Sequence, residues 1–196
     1  MLTPAPALLQ SIRRAFHQHG FAGVTMVDIA RECGFTRRAL YHYFSNKEDA
    51  FRAVVRAENV TAMREGLAAG EVVRAAGGGA VDVVAAIMDR RYGNTRRFVE
   101  VSPHTVELNS IAFMLCRDIM IEAAVAFQRD LAALIAELVA NGRMTLKPGF
   151  TLEEVAQTLS NGARGVNQAL PPGDLDDLAR RYRSMCRMIL FGCAAE

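Results

Sequence analysis

Between Thr25 and Lys47 the sequence permits two short helices joined by a tight turn. Thr25 can cap the first, which runs through Val27, Ile29, Ala30 and Cys33. Asp28 falls in its first turn, where the helix dipole favours an acid. Gly34 breaks that pattern, and Thr36 can cap a second helix, Arg37 to Tyr43. Ser45 or Asn46 can cap the next, with Glu48 and Asp49 in its first turn. Gly34 gives the turn the backbone freedom it needs, and Ile29, Ala30, Phe35 and Leu40 can lock the pair together. Two helices joined in this way form a helix-turn-helix.

The rest of the chain also reads as helix. Pro6 to His19 has helical spacing in Leu8, Leu9, Ile12, Ala15 and Phe16, with Gly20 as its stop. A helix from Lys47 to about Ala69 precedes Gly77-Gly78-Gly79, and another is predicted near Ala80 to Tyr92. Pro103 opens a long amphipathic stretch, His104 to Asn141, with Phe113, Met120, Ala124, Phe127, Leu131, Leu134 and Leu138 on one stripe. Thr151 and Glu154 read as a capping box for a helix to about Ala169. Pro171-Pro172-Gly173 separates it from a last helix, Asp174 to about Gly192. No β-type alternation persists, so the predicted class is all-α.

The charge of the 196-residue chain is near balance, at +2, and by itself argues against a nucleic-acid partner. Its distribution changes that reading. Residues 1–56 hold eight Arg or Lys against four Asp or Glu, whereas residues 57–196 hold fifteen against seventeen. A basic head on a mildly acidic body suggests two separate partners. No run of apolar residues is long enough to span a bilayer, and Met1 to Gln10 lacks the pattern of a signal peptide. Cys33, Cys116, Cys186 and Cys193 form no CxxC pair, so they are expected to be reduced thiols in the cytoplasm.

In a helix-turn-helix the exposed start of the second helix enters the major groove. Arg37 and Arg38 stand there, and arginine can reach guanine O6 and N7 through two hydrogen bonds. Hydroxyl, imidazole and ammonium groups nearby can hold phosphates and fix the register. The candidate DNA-binding residues are Thr25, Thr36, Arg37, Arg38, Tyr41, His42, Tyr43 and Lys47. Tyr41 and Tyr43 have a second reading as core aromatics of a small helical unit.

The strings Thr25-Met26-Val27-Asp28-Ile29-Ala30, Gly34-Phe35-Thr36, Ala39-Leu40-Tyr41-His42-Tyr43-Phe44 and Asn46-Lys47-Glu48 resemble the DNA-binding head of TetR-family transcriptional regulators. Phe16, Gly20 and Phe21 match that family's preceding helix and its end. The resemblance implies an all-α protein of about nine helices: a three-helix head over 1–46 and a ligand-binding and dimerisation domain over 47–196. It implies a near-palindromic double-stranded DNA operator and a homodimer through the last two helices, about 151–169 and 174–192. Ala156, Ser160, Ala163 and Ala179, with Leu159, Leu178, Met185 and Ile189, could pack in that dimer. It also implies a repressor released by a small molecule. The alternatives are an activator or ligand-free regulator of the same family, and an all-helical ligand carrier or enzyme.

The effector is unknown from sequence. Met88, Met114 and Met120 suit an adaptable apolar cavity, and equally a plain core. Tyr92 and Phe113 complete the apolar candidates. Arg117 and Arg164 either face a pocket and attract an anion or are half-buried structural arginines. His104 and Glu107 have a spacing that could ligate a metal, but lack a third ligand and read better as a cap or surface pair. No phosphate loop, nucleophile elbow or catalytic carboxylate pair is present, so neither a cofactor, a metal nor an enzymatic activity is expected.

Overall fold

The three threonines chosen as caps all act as caps. In the computed structural model Thr25 Oγ1 accepts from Asp28 N–H at 3.2 Å, while the Asp28 carboxylate accepts from Thr25 N–H at 3.0 Å, a full capping box. Thr36 Oγ1 accepts from Ala39 N–H at 3.2 Å. Thr151 and Glu154 repeat the reciprocal arrangement. Each satisfies backbone donors that the first helical turn leaves orphaned.

The structure describes residues 1–98, 102–171 and 173–193, without the side chains of Phe98 and Cys193. Pro172, the middle of the predicted Pro171-Pro172-Gly173 break, lies outside these. The helices are α1 (Pro6–Gly23), α2 (Met26–Glu32), α3 (Arg37–Leu40), α4 (Lys47–Ala75), α5 (Ala80–Met88), α6 (Asn94–Phe98), α7 (Thr105–Leu115), α8 (Arg117–Ala140), α9 (Leu152–Asn167) and α10 (Leu178–Cys193). A π-helical turn, Asp89–Gly93, joins α5 to α6. No β-strand occurs among the described residues, and no helix there is long and apolar enough to cross a membrane.

The chain divides into two compact units, Met1–Thr61 with Phe98–Ala123, and Ala62–Arg97 with Ala124–Glu196. The first therefore extends beyond residue 46, where the sequence ends the head. Its core holds Ile12, Phe16, Ile29, Leu40, Phe44, Phe51, Leu108 and Ile119. Phe16 stacks on Phe21, and both meet Phe51 edge-on at 5.0 and 5.2 Å between centroids.

Gly20 makes this packing possible. Its φ of +70° and ψ of 167° kink α1, in backbone space that is nearly exclusive to glycine. Beyond the kink Ala22 N–H donates to Glu107 Oε1 at 2.9 Å, and His104 Nδ1 lies 3.4 Å from the same carboxylate. Glu107 thus caps the backbone beyond the kink, while His104 makes no side-chain cap bond at the start of its own helix. A Cβ on Gly20 would come within 2.5 Å of Glu107 Oε2, forcing that carboxylate away from Ala22. Gly20→Ala is expected to cost about 2–3 kcal/mol from backbone strain and the lost cap. Urea denaturation measures it, and a change below ~0.5 kcal/mol would refute this role.

The second unit is built on Val83, Ile87, Met88, Phe127, Leu131, Ile135, Leu159 and Tyr182. Here α10 packs on α5 and α9. Gly70 lets α4 approach α5, since a Cβ there would meet Ile87 Cγ1 at 2.5 Å, and the helix runs past Ala69 to Ala75.

Three expectations need correction. The stretch His104 to Asn141 is two helices, broken at Cys116 (φ −123°, ψ 23°). Arg52 supplies the reason: its guanidinium donates to the Leu115 carbonyl released by the break and pairs with Asp118 at the start of α8. That pairing holds the Asp118 carboxyl down at about 2. The break takes Phe113 out of phase with Phe127, Leu131 and Leu138, which stay buried, while Phe113 is exposed. The helix predicted to reach Tyr43 ends at Leu40, because His42 and Tyr43 N–H turn to carbonyls three residues back. Finally, Ala156, Leu159, Ser160, Ala163, Leu178 and Met185 are buried inside the chain and cannot line a dimer surface. Their helices turn Thr158, Asn161, Gly165, Ala179, Ser184 and Met188 outward instead.

Candidate nucleic-acid interface

The turn between α2 and α3 is fixed by backbone bonds. Gly34 has φ +66°, and Phe35 N–H donates to Ala30 O at 2.8 Å. Ile29, Ala30 and Leu40 are buried beneath it. With that side of both helices spent on the core, the opposite side faces outward. Thr25, Thr36, Arg37, Arg38, Tyr41 and His42 are all exposed there, as is Val27.

The two arginines differ. Arg37 Nη2 donates to Tyr41 Oη at 3.2 Å, and its guanidinium lies 5.4 Å from the centre of that ring. One turn of helix therefore holds Arg37 in a defined direction. Arg38 makes no hydrogen bond or ion pair among the described residues. The start of α3 carries no acid. By contrast, Arg31 is neutralised by Asp28 and Arg14 by Glu32. Uncompensated positive charge is thus concentrated at the end of α3 that a groove would receive.

Tyr43 and Lys47 are placed differently from the other candidates. Tyr43 is half-buried between Phe35 and Phe44. Lys47 Nζ donates to Phe21 O at 2.8 Å and to Val24 O at 3.3 Å, and sits 4.8 Å from the Phe21 ring centre. It ties the start of α4 to the end of α1, satisfying carbonyls the kinked helix leaves free.

The candidate effector residues fall in both units. Phe113, Met114 and Arg117 are exposed and Met120 is half-buried, all in the first. Met88, Tyr92 and Arg164 belong to the second: Met88 is fully buried, Tyr92 half-buried against Phe127, and Arg164 half-buried with a bond to Asn161. An open cleft of about 380 Å³ in the second unit is lined by Asp82, Arg143, Arg183 and Phe191, and by none of the seven candidates. Of the thiols, Cys116 and Cys186 are buried, and burial pushes Cys186 up to about 12. Sequence reasoning passed over Arg91, whose burial is described below. Its only signal is an Arg three residues after the apolar run Val83 to Met88.

Residues 8–54 match the sequence model of bacterial regulatory proteins, tetR family. The HTH-type transcriptional repressor AcnR of Corynebacterium diphtheriae is 38% identical over 58 residues, which are 30% of each chain. The match thus spans under a third of that relative's length. Over nearly the full chain the fold is that of SmeT bound to triclosan (TM-score 0.68, 20% identity, 97% of this chain and 91% of that one). SmeT is the repressor of the Stenotrophomonas maltophilia multidrug efflux pump SmeDEF. It is also that of the fatty acid degradation regulator FadR of Bacillus halodurans (TM-score 0.68, 14% identity, 97% and 98%). These two likenesses concern the fold.

Proposed function

We propose that this chain, a TetR-family protein by its head and its fold, is a ligand-responsive repressor acting as a homodimer on a near-palindromic operator in the cytoplasm. The carrying observation is the outward end of α3, where Thr36, Arg37, Arg38, Tyr41 and His42 stand exposed on a rigidly turned helix pair. Each subunit presents this end to one of two successive major grooves, with the arginines on guanines and the hydroxyl and imidazole groups on phosphates. The two heads lie about one helical turn apart, roughly 34–36 Å, or more on a longer site.

The dimer forms through the outward faces of α9 and α10, where small and apolar residues such as Gly165, Ala179 and Met188 stand clear of their own core. A small molecule in the helical body favours a dimer whose heads no longer match the operator, and its unequal affinity for the two states sets the size of the switch. The known behaviour of the relatives, a repressor of 38% identity in the head and a repressor of this fold with a bound small molecule, supports this reading. A gel-shift titration on DNA from the chain's own upstream region tests it. Binding should exceed that to unrelated DNA of equal length by at least a thousandfold and fall steeply with salt. Equal affinity for both DNAs would refute it.

A further inference from the structure

We infer that Arg91 is the anchor of an effector site in the second unit, and that the effector is a monocarboxylate on an apolar body. This rests on the regulator reading and gives the effector a chemistry. Arg91 is only 5% exposed, and its Nε and Nη1 are buried with no hydrogen-bond partner among the described residues. The hydroxyl of the next residue, Tyr92, is likewise buried and without a partner. An unpaired charge in an apolar interior is among the costliest arrangements a fold can hold. Two neighbouring orphans mark a place where acceptors are to be supplied from outside.

The surroundings give the rest of the ligand. The guanidinium lies 4.1 Å from the centre of the Phe127 ring and 5.1 Å from that of Tyr92, contacts that orient it without neutralising it. Gly66 of α4 lies against it: a Cβ there would meet Arg91 Cβ at 3.0 Å. Met88 and Leu131 of the same unit are fully buried. Arg91 and Tyr92 sit on the π-helical turn, a distortion that recurs at functional sites.

Neighbouring charges fix the valence. Arg90 pairs with Glu65 at 2.8 Å and Arg97 with Asp89 at 2.7 Å, which leaves Arg91 as a single positive charge without a carboxylate among the described residues. A carboxylate cancels that charge and supplies acceptors for the guanidinium and the Tyr92 hydroxyl. A doubly charged phosphate would leave one negative charge unpaired in the same apolar setting.

The test compares acids with their amides on the full chain, by calorimetry and thermal melting. The probes are decanoate with decanamide and 1-naphthoate with 1-naphthamide, which separate an aliphatic from an aromatic body. At least one acid should bind tenfold or more tightly than its amide, as a charge-assisted bond requires. Arg91→Met should remove that preference while the ligand-free protein melts at or above the wild-type temperature, because an uncompensated charge has gone. Acids and amides bound equally, or neither acid bound, would overturn the proposal, as would a clear fall in melting temperature with the acid preference intact. Should Arg91→Met fail to fold, Tyr92→Phe decides: a severalfold loss of acid binding alone supports the site, and no loss overturns it. Operator binding is measured separately by gel shift. If the acid preference holds and no operator is bound, the regulator reading fails alone. If an operator is bound and no acid preference exists, this inference fails alone.

Discussion

A variant with Arg37 and Arg38 both changed to alanine will lose operator-specific binding and keep its fold. Both side chains are exposed, and the bond from Arg37 to Tyr41 is a surface contact, so the substitutions should change stability by no more than about 0.5 kcal/mol. A guanine contact of this kind is worth about 1–3 kcal/mol. Two arginines in each of two heads then carry at least ~4 kcal/mol, roughly a thousandfold in affinity. Fluorescence anisotropy on operator DNA reads the loss, and circular dichroism confirms the helices. Binding to unrelated DNA should weaken far less, because phosphate contacts from elsewhere in the head remain. An affinity within about threefold of wild type would show that the exposed end of α3 does not read the site.

The second large effect is on stability. Phe16→Ala should cost about 3–5 kcal/mol, at the upper end of core truncations. Phe16 is 1% exposed and touches both Phe21 and Phe51, so the cavity is bounded by two rings, one beyond the α1 kink and one on α4. Those rings cannot collapse into it without moving α1, the segment beyond its kink, and α4 together. A loss of that size is a large part of the stability of an ordinary domain. Chemical denaturation should show an early transition, and DNA binding should fall with it although no DNA-facing residue has changed. Phe16→Leu, which keeps more of the volume, should cost clearly less. Equal stability of the alanine variant and the wild type would contradict the aromatic core described above.

The parts of the fold that were legible in the sequence are the local ones. Thr25 with Asp28, Thr36, and Thr151 with Glu154 announce their helix starts because a cap needs only three or four consecutive residues. The turn at Gly34 is local for the same reason. The break at Cys116 was not legible, because it depends on Arg52, more than sixty residues away, which takes the Leu115 carbonyl and the Asp118 carboxylate. Amphipathic spacing also shows that α9 and α10 have an apolar face without showing what covers it. Ala156, Ser160 and Ala163 suit a tight crossing with a partner, but their own subunit covers them.

The candidate site divides along the same line. Exposure of Arg37 and Arg38 follows from motif geometry and was readable. Lys47 looked equally available, yet its ammonium is held by Phe21 and Val24 carbonyls at the far end of α1. Arg91 is the reverse case: arginine is a surface residue by habit, and only the packing of Phe127 and Gly66 around it reveals a buried cation.

The central claim is that two copies of α3 read one DNA site together. Hydroxyl-radical footprinting of the wild-type protein on its upstream DNA tests it most directly. The account predicts two protected patches on one face of the duplex, centred about one helical turn or slightly more apart and related by a near-dyad in the sequence. Both patches should vanish together in the Arg37→Ala, Arg38→Ala variant. A single protected patch, or protection that spreads without a dyad and survives those substitutions, would contradict it.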